Sequence, residues 1–222
     1  YNTTTNLLYP TMRIFLDTAD VNEVSRRVDT GLISGVTTNP TLIKKSGRKP
    51  SDVYRQLDNL DYITDVSIEV VADTAVQMYE EGITAADNYG TATIKLPCTV
   101  EGLRACQMLN DQKVRTNITL VFSPAQAILA SLAGARYVSP FVGRLDDNSV
   151  DGLQLIKDLH ELYLPCCQIL AASIRDVPSV SKAFGNGADV CTLPPVVFDK
   201  MYKHVLTDIG LEQFNKDDAQ TL

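Results

Sequence analysis

Short β-branched or apolar runs alternate with stretches of helical spacing along almost the whole of this chain. No other feature restricts its fold as strongly. The runs are Arg13–Asp17, Ser34–Asn39, Asp65–Val71, Thr91–Pro97, Arg115–Val121, Tyr137–Gly143, Gln168–Ser173 and Asp189–Pro194. Most are bounded by polar residues, proline or glycine, as strands are. Between them Asp20–Thr30, Ser51–Leu60, Thr74–Asn88, Thr99–Asn110, Pro124–Gly134 and Val150–Leu162 read as helices. Leu103, Ala105, Cys106 and Leu109 follow helical spacing, and Ser123-Pro124 offers a capping side chain followed by proline at the first helical position. Gly134 suits the left-handed residue that ends a helix.

Eight such units predict an α/β protein, a closed (β/α)8 TIM barrel, with a C-terminal helical extension from about residue 203. A doubly wound sheet fits less well, because its first strand would lead into a glycine-rich phosphate loop, and Leu16-Asp-Thr-Ala-Asp20 is not one. The 222 residues suit one barrel, and no linker or shift in composition divides residues 12–222. Residues 1–11 precede Met12 without a charged or apolar signal pattern and are expected to be an unstructured leader or expression scar.

Charge and cysteine content exclude several function classes. Twenty Lys+Arg against 27 Asp+Glu give a net charge of −7 and no basic stripe, which argues against nucleic acid as a partner. No apolar run approaches the roughly 18 residues of a membrane span. The five cysteines are odd in number and form no CxxC, and the two histidines are isolated. Neither a disulfide framework nor a metal site is expected, and the chain reads as cytoplasmic.

In a barrel, chemistry gathers where strands end at the C-terminal face. Those positions hold Asp17, Thr38-Asn39, Glu69, Lys95, Asn117 with Thr119, Arg144, and Ser173 with Arg175. Lys95, within Thr93-Ile-Lys-Leu-Pro97, either points outward at a strand end or points inward as an amine nucleophile for a carbonyl. Asp17 and Glu69 could divide acid and base work. Alternatively Asp17 caps the helix that starts near Asp20, and Glu69 only pairs with Lys95. Arg144 and Arg175 follow the sixth and seventh strands, where barrels commonly hold phosphate, with Ser173 as a further donor. A surface ion pair with Asp146-Asp147 is the alternative for Arg144. Gly185-Asn-Gly187 lacks the third glycine of a dinucleotide loop, and the sequon Asn117-Ile-Thr119 lies in a core strand; neither carries function.

Several runs resemble the small transaldolases: Leu16-Asp-Thr-Ala-Asp20, Gly35-Val-Thr-Thr-Asn-Pro-Thr-Leu-Ile43, Ile94-Lys-Leu-Pro97, Asn117-Ile-Thr-Leu-Val-Phe122, Tyr137-Val-Ser-Pro-Phe-Val-Gly-Arg-Leu-Asp-Asp147 and Ala171-Ala-Ser-Ile-Arg175. The resemblance covers essentially Met12 to the C-terminus. It implies class I aldol chemistry without metal or organic cofactor, moving a dihydroxyacetone unit from a ketose phosphate to an aldose phosphate in the pentose phosphate pathway. It further implies that Lys95 forms the Schiff base and Asp17 is the acid/base residue. Glu69 and Thr119 would hold the catalytic water. Asn39 and Asn117 would bind donor hydroxyls, with Thr37 and Ser139 lining the pocket, and Arg144, Ser173 and Arg175 would anchor phosphate. The same resemblance implies a homo-oligomer, a decamer that exchanges a C-terminal segment bearing Val205, Leu206, Ile209, Leu211 and Phe214 between neighbours. Fructose-6-phosphate aldolases share the fold and the lysine, but their positions matching Glu69 and Phe141 resemble glutamine and tyrosine. The pair here therefore favours transfer over simple cleavage. A non-catalytic sugar-phosphate-binding barrel is the third reading, and the presence of Lys95, Asp17 and Glu69 argues against it.

Overall fold

A computed structural model describes residues 12–219; residues 1–11, expected to be a leader, lie outside the described residues. Eight parallel strands close on themselves in sequence order, β1 pairing with both β2 and β8. They are β1 (Arg13–Asp17), β2 (Ile33–Thr37), β3 (Asp65–Glu69), β4 (Ala92–Pro97), β5 (Thr116–Val121), β6 (Tyr137–Pro140), β7 (Gln168–Ala171) and β8 (Val190–Leu193). Around them lie α1 (Val21–Val28), α2 (Pro40–Ser46), α3 (Pro50–Asp58), α4 (Ala75–Asn88), α5 (Val100–Asp111), α6 (Pro124–Leu132), α7 (Val142–Asp147), α8 (Gly152–Glu161), α9 (Val177–Gly185) and α10 (Pro195–Lys200). A last helix, α11 (Val205–Ala219), follows the barrel and buries none of its residues.

Local chemistry sets the strand-to-helix junctions. Asp20, Asn39, Thr74, Thr99, Ser123, Asp151 and Asp176 each accept a first-turn backbone N–H through the side chain, so an extended residue passes directly into a helix. Gly134 takes a φ of 83°, the left-handed value expected where α6 ends.

Burial falls into two separate apolar clusters. The larger lies between the barrel wall and the helices and takes the outward side chains, such as Leu16, Val36, Ile94, Leu96 and Ile118. The smaller fills the lumen with Phe15, Tyr137, Leu170, Ala172 and Val190, and Phe141 packs against it. The period-two alternation of a strand produces this division. Gly35 has a packing reason to lack a side chain: a Cβ there would stand 2.6 Å from the Phe15 ring.

The sequence places the sixth strand over Tyr137–Gly143, but it ends at Pro140 and α7 begins at Val142. Phe141 still bridges Ala172 in parallel, and the N–H groups of Val142 and Gly143 donate to the Ala172 and Ser173 carbonyls as α7 begins. A Cβ on Gly143 would lie 2.4 Å from the Ser173 carbonyl oxygen. Similarly, β2 and β3 stop about two residues early, since Asn39 is extended yet already caps α2. The helices α2, α7 and α10, six or seven residues each, are too short to show a periodic pattern.

Candidate active site

The alternation that sends Val66 and Ile94 outward sends Ser67, Glu69, Thr93 and Lys95 into the barrel. Register pairs Glu69 with Lys95, and Lys95 with Asn117. At the C-terminal end a cavity of about 130 Å³ is lined by Asp17, Thr37, Asn39, Lys95, Asn117, Ser139, Phe141, Arg144, Leu170, Ala172, Ser173 and Thr192. Nine of the twelve residues expected from sequence to form the site line this one space, contributed by six of the eight strands and the loops that follow them.

Lys95 is only 5% exposed and is the only buried lysine among the described residues. Its Nζ lies 3.0 Å from Glu69 Oε2 and donates to the Thr38 carbonyl at 3.1 Å. The outward orientation considered for this lysine is therefore not the one adopted. Its pairing with Glu69 does occur, and it holds the amine at the cavity wall.

Asp17 does not cap α1; Asp20 does, through bonds to the backbone N–H groups of Asn22 and Glu23. The Asp17 carboxyl faces the cavity, where Thr37 Oγ1 donates to its Oδ1 at 2.8 Å. Burial raises its pKa above the ordinary aspartate value, Thr37 and Lys95 oppose that rise, and Glu69 adds to it. Asn117 donates through Nδ2 to Ser67 Oγ at 3.2 Å and accepts at Oδ1 from Ser139 Oγ at 2.6 Å. These two bonds fix the orientation of the amide across the lumen. Asn39 uses its Oδ1 to cap α2 at Leu42 N. The Thr119 hydroxyl is buried without a hydrogen-bond partner among the described residues. It follows Ile118 at a break in the β5–β6 register, where Leu120 takes a left-handed φ of 58°. Such bulges commonly re-aim a side chain beside an active site.

At the mouth the Arg144 guanidinium lies 4.9 Å over the Phe141 ring, and that ring meets Phe122 edge-on at 5.9 Å. The acidic pair after Arg144 does not bind it. Asp147 instead makes a two-pronged ion pair with Arg175. Arg175 thus stands beside the site without lining the cavity, whereas Ser173, with a left-handed φ of 59°, does line it. Glu69 and Thr119 also lie outside the lining; Glu69 reaches it through Lys95.

Sequence reading overlooked Thr192. It lines the cavity from β8, and its Oγ1 is 2.6 Å from that of Thr37. The signal is present: Val190 and Thr192 alternate inward, and a polar residue stands next to last in an otherwise apolar strand. Thr38, expected at the rim beside Asn39, contributes its backbone carbonyl to Lys95 while its hydroxyl donates to the Ser67 carbonyl, a division that sequence does not reveal. None of the cysteines lines the cavity, and burial pushes the thiols of Cys167 and Cys191 up to about 12. Among the described residues no helix is long and apolar enough to cross a membrane, and no cluster of side chains suits a metal ion.

Comparison with known proteins places nearly the whole chain in a family. The chain is 49% identical over 213 residues to a "Probable transaldolase" of Paracoccus denitrificans, covering 95% of this chain and 98% of that protein. It is 48% identical, with the same coverage, to one of Caulobacter vibrioides and 44% identical to one of Nitrosopumilus maritimus, where 93% of this chain and 94% of the relative are covered. Among solved structures, a Pediococcus acidilactici protein described as a lactate oxidase superposes with a TM-score of 0.61 at 14% identity, covering 86% of this chain and 64% of that one; this likeness concerns the barrel alone. The model of a family described as Transaldolase/Fructose-6-phosphate aldolase matches residues 14–222, and the chain belongs to that family of enzymes.

Proposed function

We propose that this enzyme is a transaldolase of the pentose phosphate pathway, acting in the cytoplasm without a metal or organic cofactor. It would transfer a dihydroxyacetone unit from fructose 6-phosphate or sedoheptulose 7-phosphate to an aldose phosphate. The observation that carries this reading is the placement of Lys95: one buried amine on a polar cavity wall, 3.0 Å from a carboxylate and sharing the space with a second carboxylate, Asp17.

In this reading Glu69 takes the ammonium proton and the free amine attacks the ketose carbonyl. Loss of water leaves a protonated imine. Asp17 then removes the hydroxyl proton of the departing half, the carbon–carbon bond breaks, and its electron pair passes to the imine nitrogen, giving an enamine and an aldose phosphate. The enamine carbon attacks the incoming aldehyde, Asp17 returns its proton to the new hydroxyl, and water hydrolyses the imine. Glu69 and the unpartnered Thr119 hydroxyl are suited to hold that water. Asn39, Asn117 and Ser139, the amide of Asn117 fixed by its two bonds, would bind hydroxyls of the dihydroxyacetone unit. Arg144 and Ser173, with Arg175 once freed from Asp147, would hold phosphate.

Phe141 supports transfer over cleavage, because its ring offers no proton donor to discharge the enamine as free dihydroxyacetone. Fructose 6-phosphate supplied with erythrose 4-phosphate should yield sedoheptulose 7-phosphate and glyceraldehyde 3-phosphate. Fructose 6-phosphate alone should release little dihydroxyacetone. Release as fast as transfer would make the enzyme a fructose-6-phosphate aldolase instead.

We also propose residues 12–222 as one barrel domain with its extension, and a homo-oligomer, a decamer, as the working form. Support comes from α11, whose Val205, Leu206, Ile209, Leu211 and Phe214 are all more than half exposed on the isolated chain. So much apolar surface on one helix fits a second copy as its cover. Light scattering at micromolar concentration tests this, and a monomer would overturn it.

A further inference from the structure

Asp17, Thr37 and Thr192 form a short chain of hydrogen bonds whose direction follows from counting hydrogens. A threonine hydroxyl carries one hydrogen and two lone pairs. Thr37 donates its hydrogen to Asp17 Oδ1 at 2.8 Å. Its second contact, 2.6 Å to Thr192 Oγ1, must then be donated by Thr192 whenever Asp17 is a carboxylate. Both threonines are only 2% exposed, so water has little access to replace either bond.

Two consequences follow. With Oδ1 occupied, Oδ2 is the oxygen of Asp17 left to receive a proton from the cavity. In addition, donation into the Thr37 oxygen polarises its O–H and strengthens the bond to the carboxylate. We propose that Thr192 is a positioning residue for the acid/base step, holding Thr37 as a donor to Oδ1 so that the substrate proton goes to Oδ2. This rests on the reading of Asp17 as the acid/base residue.

Several charged groups bear on the test. Lys95 from β4 stabilises the carboxylate and Glu69 from β3 destabilises it, while Arg144 from α7 lines the same cavity. Removing the Thr192 hydroxyl leaves all three in place and weakens only the Thr37 donation. The charged form of Asp17 loses support, its folded-state pKa rises, and the base is lost at a higher pH as the solution is acidified.

The experiment uses the full chain with fructose 6-phosphate and erythrose 4-phosphate. In Thr192→Val, kcat should fall about tenfold while KM changes less than about twofold. The acid limb of the kcat profile should move to higher pH. Borohydride trapping of the Lys95 adduct should be undiminished, since imine formation does not pass through Thr192. Thr192→Ser, which keeps the hydroxyl, should restore both kcat and the acid limb. If Thr192→Val does not accumulate as folded protein, Thr192→Cys, a poor donor of similar size, is read by the same criteria. An unmoved acid limb, a failure of serine to restore it, or an adduct that falls in parallel with kcat would each overturn the proposal. Full transfer activity in Asp17→Asn would instead overturn the acid/base reading beneath it.

Discussion

Deep in the N-terminal end of the barrel, Asp65 is 2% exposed, with Tyr137 Oη donating to its Oδ2 at 2.9 Å and Arg115 within 3.6 Å. Arg13 closes the same end: it donates to Tyr137 Oη and Gln168 Oε1 and lies over the rings of Phe15 and Tyr137. At the C-terminal end a carboxylate and a cation also meet in a half-dry setting, Glu69 with Lys95, and a second carboxylate stands by. Composition alone does not distinguish the two ends. They differ in what surrounds the charges. At the floor, Tyr137 and neighbouring polar groups bury Asp65 while Arg115 reaches partly into solvent, whereas at the mouth Lys95, Asp17, Asn39 and Arg144 border open volume. Burial lifts the pKa of both Asp17 and Asp65, so a shifted carboxylate does not by itself mark the chemistry here. Only Asp17 of the two borders the cavity.

Substitutions at the two ends should separate chemistry from stability. The largest effect is expected at the mouth. Lys95→Met should abolish borohydride labelling with fructose 6-phosphate and lower transfer by about a thousandfold or more, with the thermal transition preserved. Undiminished labelling would remove Lys95 from its role. At the floor the opposite pattern is expected. Asp65→Ala leaves the Tyr137 hydroxyl without its acceptor, while Arg115 keeps the Thr64, Gly90 and Ala92 carbonyls. It should cost about 1–3 kcal/mol in urea unfolding, while kcat per folded molecule holds. A matching loss of kcat would mean that the floor is coupled to catalysis and that the contrast fails.

Smaller effects sharpen the comparison within the mouth. Arg144→Ala should weaken use of phosphorylated substrates by about 1.5–3 kcal/mol and barely alter transfer between unphosphorylated sugars. Arg175→Ala should do the same to a lesser degree, because that guanidinium must first leave Asp147. The smallest effect concerns Asp17→Asn and unfolding. Burial raises the folded-state pKa of Asp17, so the wild-type carboxylate is a burden above that pKa and a vanishing one as pH falls toward the unfolded value. The variant should be the more stable near pH 7 and lose its advantage on acidification. An advantage that grows in acid would reverse the assigned direction.

Much of this arrangement was legible in the sequence because periodicity and position carry it. The first strand, Arg13–Asp17, is legible to its bounds, since Asp17 closes an apolar run three residues ahead of the capping Asp20. Lys95 and Asn117 stood out as polar residues inside apolar strands. The less legible parts depend on contacts distant in the chain. Tyr137–Gly143 looked like an unbroken strand because nothing local shows that Gly143 must pass against Ser173. Which of two arginines would pair with Asp146-Asp147 depended on how the loops after β6 and β7 approach each other, so sequence proximity pointed to Arg144 and the fold chose Arg175. Thr192 is marked in the sequence only weakly, as one inward threonine among Val, Cys and Leu, and gains its meaning from the Thr37 hydroxyl 2.6 Å away.

The separation of the two apolar clusters has a consequence for how such a protein can change over generations. Architecture rests on the outer annulus, where barrel wall and helices interlock through dozens of side chains. The cavity rests on the lumen, where Leu170 and Ala172 line it and Phe15 belongs to the same small apolar cluster. A substitution at Leu170 or Ala172 can therefore reshape the space offered to a sugar while most of the scaffold is undisturbed. Gly35 sets a boundary to that freedom, because any side chain there collides with Phe15. Variation in this lineage should therefore accumulate unevenly, with new specificities drawn from the inner ring and the annulus acting as the inherited chassis.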